Sequence, residues 1–362
     1  MKRIVLAGGG HAHLTVIRML LDNKRNDIEV ILISPSTYQY YSGMFSGYTE
    51  GLYQENDIRI DLSKLAEFSS ISFYEDEIIK VDPDKKMAYG LSGQQWSFDI
   101  LSFNIGSRYT NKHTSTQIID VKPNFLFTKN IEQFRSLEKP VIVGGGASGV
   151  ELALSIHAWK RKHQPGSQVR LISSQPLLHS YGERTSNQIR KIASQKGLSF
   201  TENEKVIQQQ ADFLVTDHQR QIPYSGILWL TGPTAANVFY HSQLETDHRG
   251  FLLVNDFLQS KRYSNIFAVG DCSTLINHPA LPKNGVYAVR QGPILAHNIS
   301  ALLEDKSFTP FKPQSRFLAI LSTGDQEALL TYGHFSTHGK FPWRLKNHID
   351  QTFMNKTKGT LG

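Results

Sequence analysis

The stretch PVIVGGGASGVELALSIHAW, residues 140–159, reads as strand, glycine turn and helix in one pass. Val141 to Val143 is a short β-branched run, as in a strand buried on both faces. Gly144, Gly146 and Gly149 follow at full GxGxxG spacing, with Glu151 just inside the helix. A turn of this kind points free backbone N–H groups and the positive end of a helix dipole at a pyrophosphate. A second apolar strand, VRLIS at 169–173, follows at the distance a βαβ unit requires.

A similar turn opens the chain. In RIVLAGGGHAHLTVIRMLL, residues 3–21, Ile4–Leu6 leads into Gly8, Gly9 and Gly10, and Leu14, Ile17 and Leu21 form a helical stripe. The third glycine is absent, and His13 stands in its place. That glycine serves helix–strand packing rather than phosphate contact, so the phosphate cradle at Gly8 and Gly10 is expected to survive. The next strand, IEVILIS at 28–34, ends at Ser34 instead of an acid. A hydroxyl there makes a weaker version of the usual ribose hydrogen bond. His11 and His13 have metal-like spacing, but alternate residues share a face only on a strand. This segment starts a helix, so packing or a cofactor edge is the expected role of both.

One glycine turn is weak evidence; two, each between strand and helix and a domain apart, imply two dinucleotides on one chain. Hydride transfer between them is the expected chemistry. A third signal is NIFAVGDCS, residues 265–273, where an apolar run ends in Gly270–Asp271. Asp271 is placed to accept from a sugar-alcohol hydroxyl. The helix GVYAVRQGPILAHNISALL, residues 285–303, would aim its N-terminus at a carbonyl that becomes electron-rich on reduction.

The chain has 362 residues, 40% of them hydrophobic, which predicts two or three domains with real cores. The formal charge is +7, without a long basic run, so nucleic-acid partners are not expected. The lone cysteine, Cys272, forms no intrachain disulfide or CxxC centre and reads as a small buried residue. No apolar stretch is long enough to span a bilayer. A cytoplasmic protein is expected, with peripheral contact on the inner face of the membrane left open.

FDILSFNIGS (98–107), GGGASGVE (144–151), LWLTG (228–232) and IFAVGD (266–271), after the opening glycines, resemble the pyridine nucleotide–disulfide oxidoreductase superfamily. Without a cysteine pair the chain looks like the type II NADH:quinone oxidoreductases. GGGHAH, YSGM, DIRIDLSKL, PKNGVYAVRQGPILAHN and WRLKNHIDQTFM resemble a subgroup fused ahead of selenophosphate synthetase, which also has His at the third glycine position.

The resemblance implies an α/β fold with two Rossmann-like domains of the glutathione-reductase type. FAD would occupy the first domain, with Gly8, Gly10 and His11 at its phosphate turn and Ser34 near the adenosine ribose. Ile78 would meet adenine through its backbone, Gly106 would close over the cofactor, and Gly270–Asp271 would hold the ribityl chain. The helix from Gly285 would face the flavin pyrimidine. NADH or NADPH would lie on Gly144, Gly146 and Gly149, with Glu151 near its nicotinamide half as a catalytic candidate alongside Lys283. Ser173 replaces the acid that would repel NADPH, and Gly232 lies in the return crossing. The domains are expected at 1–115 plus 236–308 (FAD) and 116–235 (NAD(P)H), followed by a C-terminal region at 309–362.

The expected function is hydride transfer from NAD(P)H through FAD to a quinone-like acceptor. The alternatives are a flavin-binding redox sensor and a reductase of a selenium compound. The glutamine pair of type II quinone reductases aligns with Val286 and Arg290. Lys283 reads either as a charge stabilising reduced flavin or as a solvated loop lysine. Tyr38, Tyr40 and Tyr41 read either as a wall near the flavin or as an ordinary aromatic cluster. Leu345, Ile349 and Phe353 make a narrow stripe on the last helix. It suits a membrane surface, the protein's own body or a twin subunit in a homodimer.

Overall fold

The structure is a computed structural model describing residues 1–22, 26–109, 117–314 and 318–358. The expected domain boundary at 115/116 lies outside the described residues.

Sixteen elements position the site. Along the chain they begin with β1 (Lys2–Ala7), α1 (His11–Asp22), β2 (Ile28–Ser34), β3 (Ser72–Glu75) and β4 (Ile100–Phe103). Next come β5 (Pro140–Val143), α2 (Ala147–His163), β6 (Arg170–Ile172), β7 (Ser199–Thr201) and β8 (Gly226–Trp229). Then follow β9 (Ile266–Ala268), α3 (Gly285–Leu303), β10 (Ala319–Gly324), β11 (Glu327–Tyr332), β12 (Phe335–Gly339) and α4 (Lys340–Lys358).

Two parallel sheets carry the fold. The first has the order β9-β4-β1-β2-β3, so its strands come from both ends of the chain. The second has the order β7-β6-β5-β8 and draws only on residues 140–229. Parallel strands are covered on both faces, and their composition follows from that. Ile4, Val5, Leu6, Leu32, Leu101, Phe103, Ile142 and Leu171 are fully buried. Each sheet ends its first strand in a glycine turn and continues into a helix, as the two quoted stretches predict.

Helix α3 packs on α1 because Gly292 lets the backbones meet. A Cβ added there would lie 2.9 Å from the Thr15 side chain and 3.3 Å from the Ala12 Cα. The two passages between the sheets are tied by the antiparallel pairing of Arg108–Tyr109 with Pro233–Thr234. The C-terminal region is an antiparallel meander, β10-β11-β12, followed by α4. The helix α4 packs on its own chain: Asp350 and Met354 are buried, and Phe353 stacks on Tyr41 at 4.6 Å between centroids. Among the described residues, no helix is long and apolar enough to cross a membrane.

Candidate active site

The first glycine turn is shaped by Asn104. Gly8 has φ +92°, and a Cβ there would lie 2.5 Å from the Asn104 carbonyl oxygen. At Gly10 it would lie 2.2 Å from Asn104 Oδ1. That oxygen accepts from the Ala12 backbone N–H at 3.0 Å, while Asn104 Nδ2 donates to the Val269 carbonyl at 3.1 Å. One side chain therefore fixes the start of α1 and the strand that leads to Asp271. Sequence reasoning did not single it out, although it lies two residues before Gly106.

His13 fills the place of the missing glycine. The residue is fully buried, and its Nδ1 lies 2.6 Å from the Gly8 carbonyl oxygen. Its Nε2 lies 2.8 Å from Ser102 Oγ. A carbonyl only accepts, so Nδ1 carries the proton and Nε2 accepts from the hydroxyl. Both ring nitrogens are occupied, so His13 is a packing group and not half of a metal pair. Burial pushes its pKa down to about 4. His11 is also buried and pushed down to about 4, and it contacts the rings of Tyr41 and Phe353.

The second turn follows the strict pattern. Gly144 has φ +130°, and a Cβ there would lie 2.6 Å from the Leu230 carbonyl oxygen. At Gly149 a Cβ would lie 1.9 Å from the Gly144 carbonyl oxygen, which excludes any side chain. Around Gly146 there is open space within 4 Å. Gly146 caps α2 without a side-chain hydrogen bond, leaving the helix N-terminus open for a ligand.

Both turns open into one cleft of about 980 Å³. That is the upper end of the ~300–1,000 Å³ usual for ligand sites. Gly8, Gly10, His11, Ser34, Ile78 and Gly106 line its first half. Gly146, Gly149, Glu151 and Gly232 line the second, and Asp271, Lys283 and Gly285 complete it. Gly144 and Gly270 lie behind the wall and shape it through their backbones. The Ser173 hydroxyl donates to the Gln175 carbonyl at 2.6 Å and is turned into its own loop rather than to the cleft wall.

Asp271 is approached by Ser107 Oγ at 3.4 Å and by the Lys122 ammonium at 3.6 Å. Lys122 also donates to Ser107 Oγ at 2.6 Å. Gly270, at φ +70°, donates its N–H to Gln291 Oε1 at 2.6 Å, locking the turn onto α3. Cys272 is buried, and burial pushes its thiol up to about 11.

Lys283 is not a solvated loop lysine. Its ammonium donates to the Ser273 carbonyl and to Thr274 Oγ1, and it lies 4.3 Å from the Phe251 ring centroid. Burial pushes its pKa down to about 8. Glu151 is half-buried and accepts from the Ser322 backbone N–H at 2.8 Å; desolvation raises its pKa. On the same cleft, Lys346 pairs with Asp350 at 2.7 Å, and the Tyr41 phenol donates to Asp350 at 3.0 Å. Tyr38 also lines the cleft, while Tyr40 is buried and donates to Glu55 at 2.5 Å.

Two parallel sheets, each with a glycine turn at a helix N-terminus, and one cleft between them define a dinucleotide-dependent oxidoreductase of Rossmann type. The chain belongs to the pyridine nucleotide-disulphide oxidoreductase family, matching it over residues 2–296. It is similar to the type II NADH:quinone oxidoreductase of Staphylococcus saprophyticus, at 23% identity over 99% of this chain and 96% of that protein. It is also 21% identical to a probable NADH dehydrogenase of Dictyostelium discoideum, over 93% and 82%. Its fold matches NDH2 from Plasmodium falciparum, solved with NADH, at TM-score 0.81 and 12% identity, over 99% and 98% of the two chains. The sulfide:quinone oxidoreductase of Aquifex aeolicus gives TM-score 0.82 at 19% identity, over 99% and 92%.

Proposed function

We propose that this chain is an FAD-dependent NAD(P)H dehydrogenase that passes electrons to a quinone-like acceptor. The observation that carries this reading is the single cleft onto which both glycine turns open. The residues present fit FAD in the first half. The turn at Gly8–Gly10 packs so closely on Asn104 and Leu62 that it admits no side chain and lines the cleft with backbone, and Gly106, at φ +69°, has open space within 4 Å. Asp271 supplies the acceptor for a polyol hydroxyl. The naming of similar proteins as NADH dehydrogenases and quinone oxidoreductases supports the same reading.

A flavin held there would relay two electrons between a nicotinamide and an acceptor. The chain's own residues then act by alignment and field rather than by nucleophilic attack. The Gly8–Gly10 turn and the α1 N-terminus take one pyrophosphate; Gly146 and the α2 N-terminus take the other. Lys283 and the α3 N-terminus would add positive charge to the field around a reduced flavin held there. Ser173 and Ser174 follow β6 where a carboxylate would repel the 2′-phosphate of NADPH, so the choice between NADH and NADPH stays open. Exposed Phe335 in β12 and Phe341 at the start of α4 support contact with a membrane surface.

The test is anaerobic titration of FAD-loaded protein with NADH and NADPH. Rapid bleaching of the flavin absorbance, restored by a quinone, is the expected result. A flavin that stays oxidised under both nucleotides overturns the enzyme reading in favour of a sensor, and a folded protein that refuses FAD overturns both.

A further inference from the structure

Among the described residues, five side-chain cations line the cleft, and four are committed. Arg108 pairs with Glu77, Lys122 with Ser107 and Asp271, Lys346 with Asp350, and Lys283 with Ser273 and Thr274. Among the described residues, Arg290 alone of the five has neither a hydrogen bond nor an ion pair. The cleft's carboxylates are committed too. Asp76 accepts from Ser92, Glu151 from Ser322, and Asp350 from both Tyr41 and Lys346. Among the described residues that line the cleft, no acid is paired with Arg290.

Its setting is apolar. On α3, residues 286, 289 and 290 share one face, while Tyr287, Ala288 and Gln291 turn inward and are buried. Val286 and Val289 are 36% and 37% exposed, and both line the cleft with Arg290. Leu318 and Ile349, 41% and 43% exposed, add further apolar surface to the same cleft. The open Val286 and Val289 side chains, on one face of α3 with an uncommitted guanidinium, suit a ligand with an apolar body and an anionic head. A planar guanidinium binds carboxylate, sulfonate or phosphate through two parallel hydrogen bonds.

Resting on the dehydrogenase reading above, we propose that the acceptor class is an apolar ring compound bearing an anionic substituent, and that Arg290 is the residue that selects it. In the net reaction NAD(P)H supplies a hydride, which is both electrons and one proton. A second proton from solvent completes the quinol, so the balance closes without a further reductant.

The test compares 1,4-naphthoquinone-2-sulfonate with menadione as acceptors, in the parent and in Arg290→Gln. Because the two quinones differ in intrinsic reactivity, the decisive quantity is the ratio of their kcat/KM values, compared between variant and parent. The substitution is expected to lower the sulfonate-to-menadione ratio about fivefold or more. Arg290→Lys should recover part of it, and raised salt should shrink the parent's preference. An unchanged ratio, or equal loss on both quinones, overturns the proposal. A second arm measures binding of non-reducible naphthalene-2-sulfonate by calorimetry, which needs no turnover. Binding that is weaker in the variant supports the assignment, and equal binding overturns it. Failure of flavin reduction by NAD(P)H would instead strike the underlying enzyme reading, leaving the calorimetric arm to decide Arg290.

Discussion

His13 Nδ1 lies 2.6 Å from the Gly8 carbonyl oxygen, and in the second turn the space over the corresponding carbonyl, of Gly144, is closed to any Cβ at Gly149. The same turn is thus closed in two ways. One brings the helix backbone against the carbonyl; the other lets an imidazole answer it and reach on to Ser102. His13→Ala removes the partners of both Gly8 and Ser102 in a fully buried place. It should cost about 1–3 kcal/mol for the groups left unsatisfied, plus a cavity term. Urea unfolding of the parent and variant measures it, and an unchanged midpoint would dismiss the packing role.

His11 and His13 both have pKa values pushed down to about 4 by burial, against 6.5 in an unfolded chain. Their folded forms resist protonation, so the unfolded chain binds more protons between those values. The stability they contribute is fully present above pH 6.5 and is lost as pH falls toward about 4. The loss should approach ~3 kcal/mol per histidine at the lower end of that window. Chemical denaturation at stepped pH checks this, and the slope between pH 6 and 4.5 should be shallower in His13→Gln.

Gly146 and Gly149 separate ligand binding from folding. The backbone of Gly146 is extended at φ −73°, and open space surrounds the Cβ position. Gly146→Val should therefore fold normally while its side chain enters the nucleotide turn. NAD(P)H oxidation should drop by about 100-fold or more, with FAD retained. Gly149→Ala should instead lower the melting temperature, because its Cβ meets the Gly144 carbonyl oxygen at 1.9 Å. If Gly146→Val turns over like the parent, the nicotinamide nucleotide lies elsewhere.

Asp271 is the acceptor proposed for the ribityl chain. Asp271→Ala removes that acceptor and also leaves Lys122 without its carboxylate. FAD should be held about tenfold more weakly or worse, as expected for losing a charged hydrogen bond of ~1.5–3 kcal/mol. Flavin fluorescence on dilution reports the dissociation constant directly. Equal retention by parent and variant would remove Asp271 from the cofactor site.

The strands, glycine turns and helices that carry the site were legible because each is local. An apolar run, a glycine spacing and a 3.6-residue stripe all lie within about 20 residues. Asn104, Lys122 and the Tyr41–Asp350 contact were not legible for the opposite reason. Asn104 reaches Ala12 across 92 positions and Tyr41 reaches Asp350 across 309, and pairing at that range leaves no periodic trace in the sequence. Lys283 was half legible. Its place before α3 could be read, but the burial that makes it unusual depends on Phe251 and Thr274, which only the fold brings to it.

That burial gives Lys283 a pH signature. With its pKa pushed down to about 8, the side chain is a cation below that pH and a neutral amine above it. If its charge favours arrival of the hydride, flavin reduction by NAD(P)H should slow as pH rises through about 8. Losing one preorganised charge of this kind costs roughly 1–2 kcal/mol, so the two limbs should differ about tenfold. Lys283→Arg, charged throughout, should stay fast above pH 8. Lys283→Met should be slow at every pH, with no inflection near 8. Stopped-flow absorbance across pH 6.5–9.5 separates the three. An inflection near 8 that persists in Lys283→Met would belong to another group and would leave Lys283 a structural tie between Ser273 and Thr274.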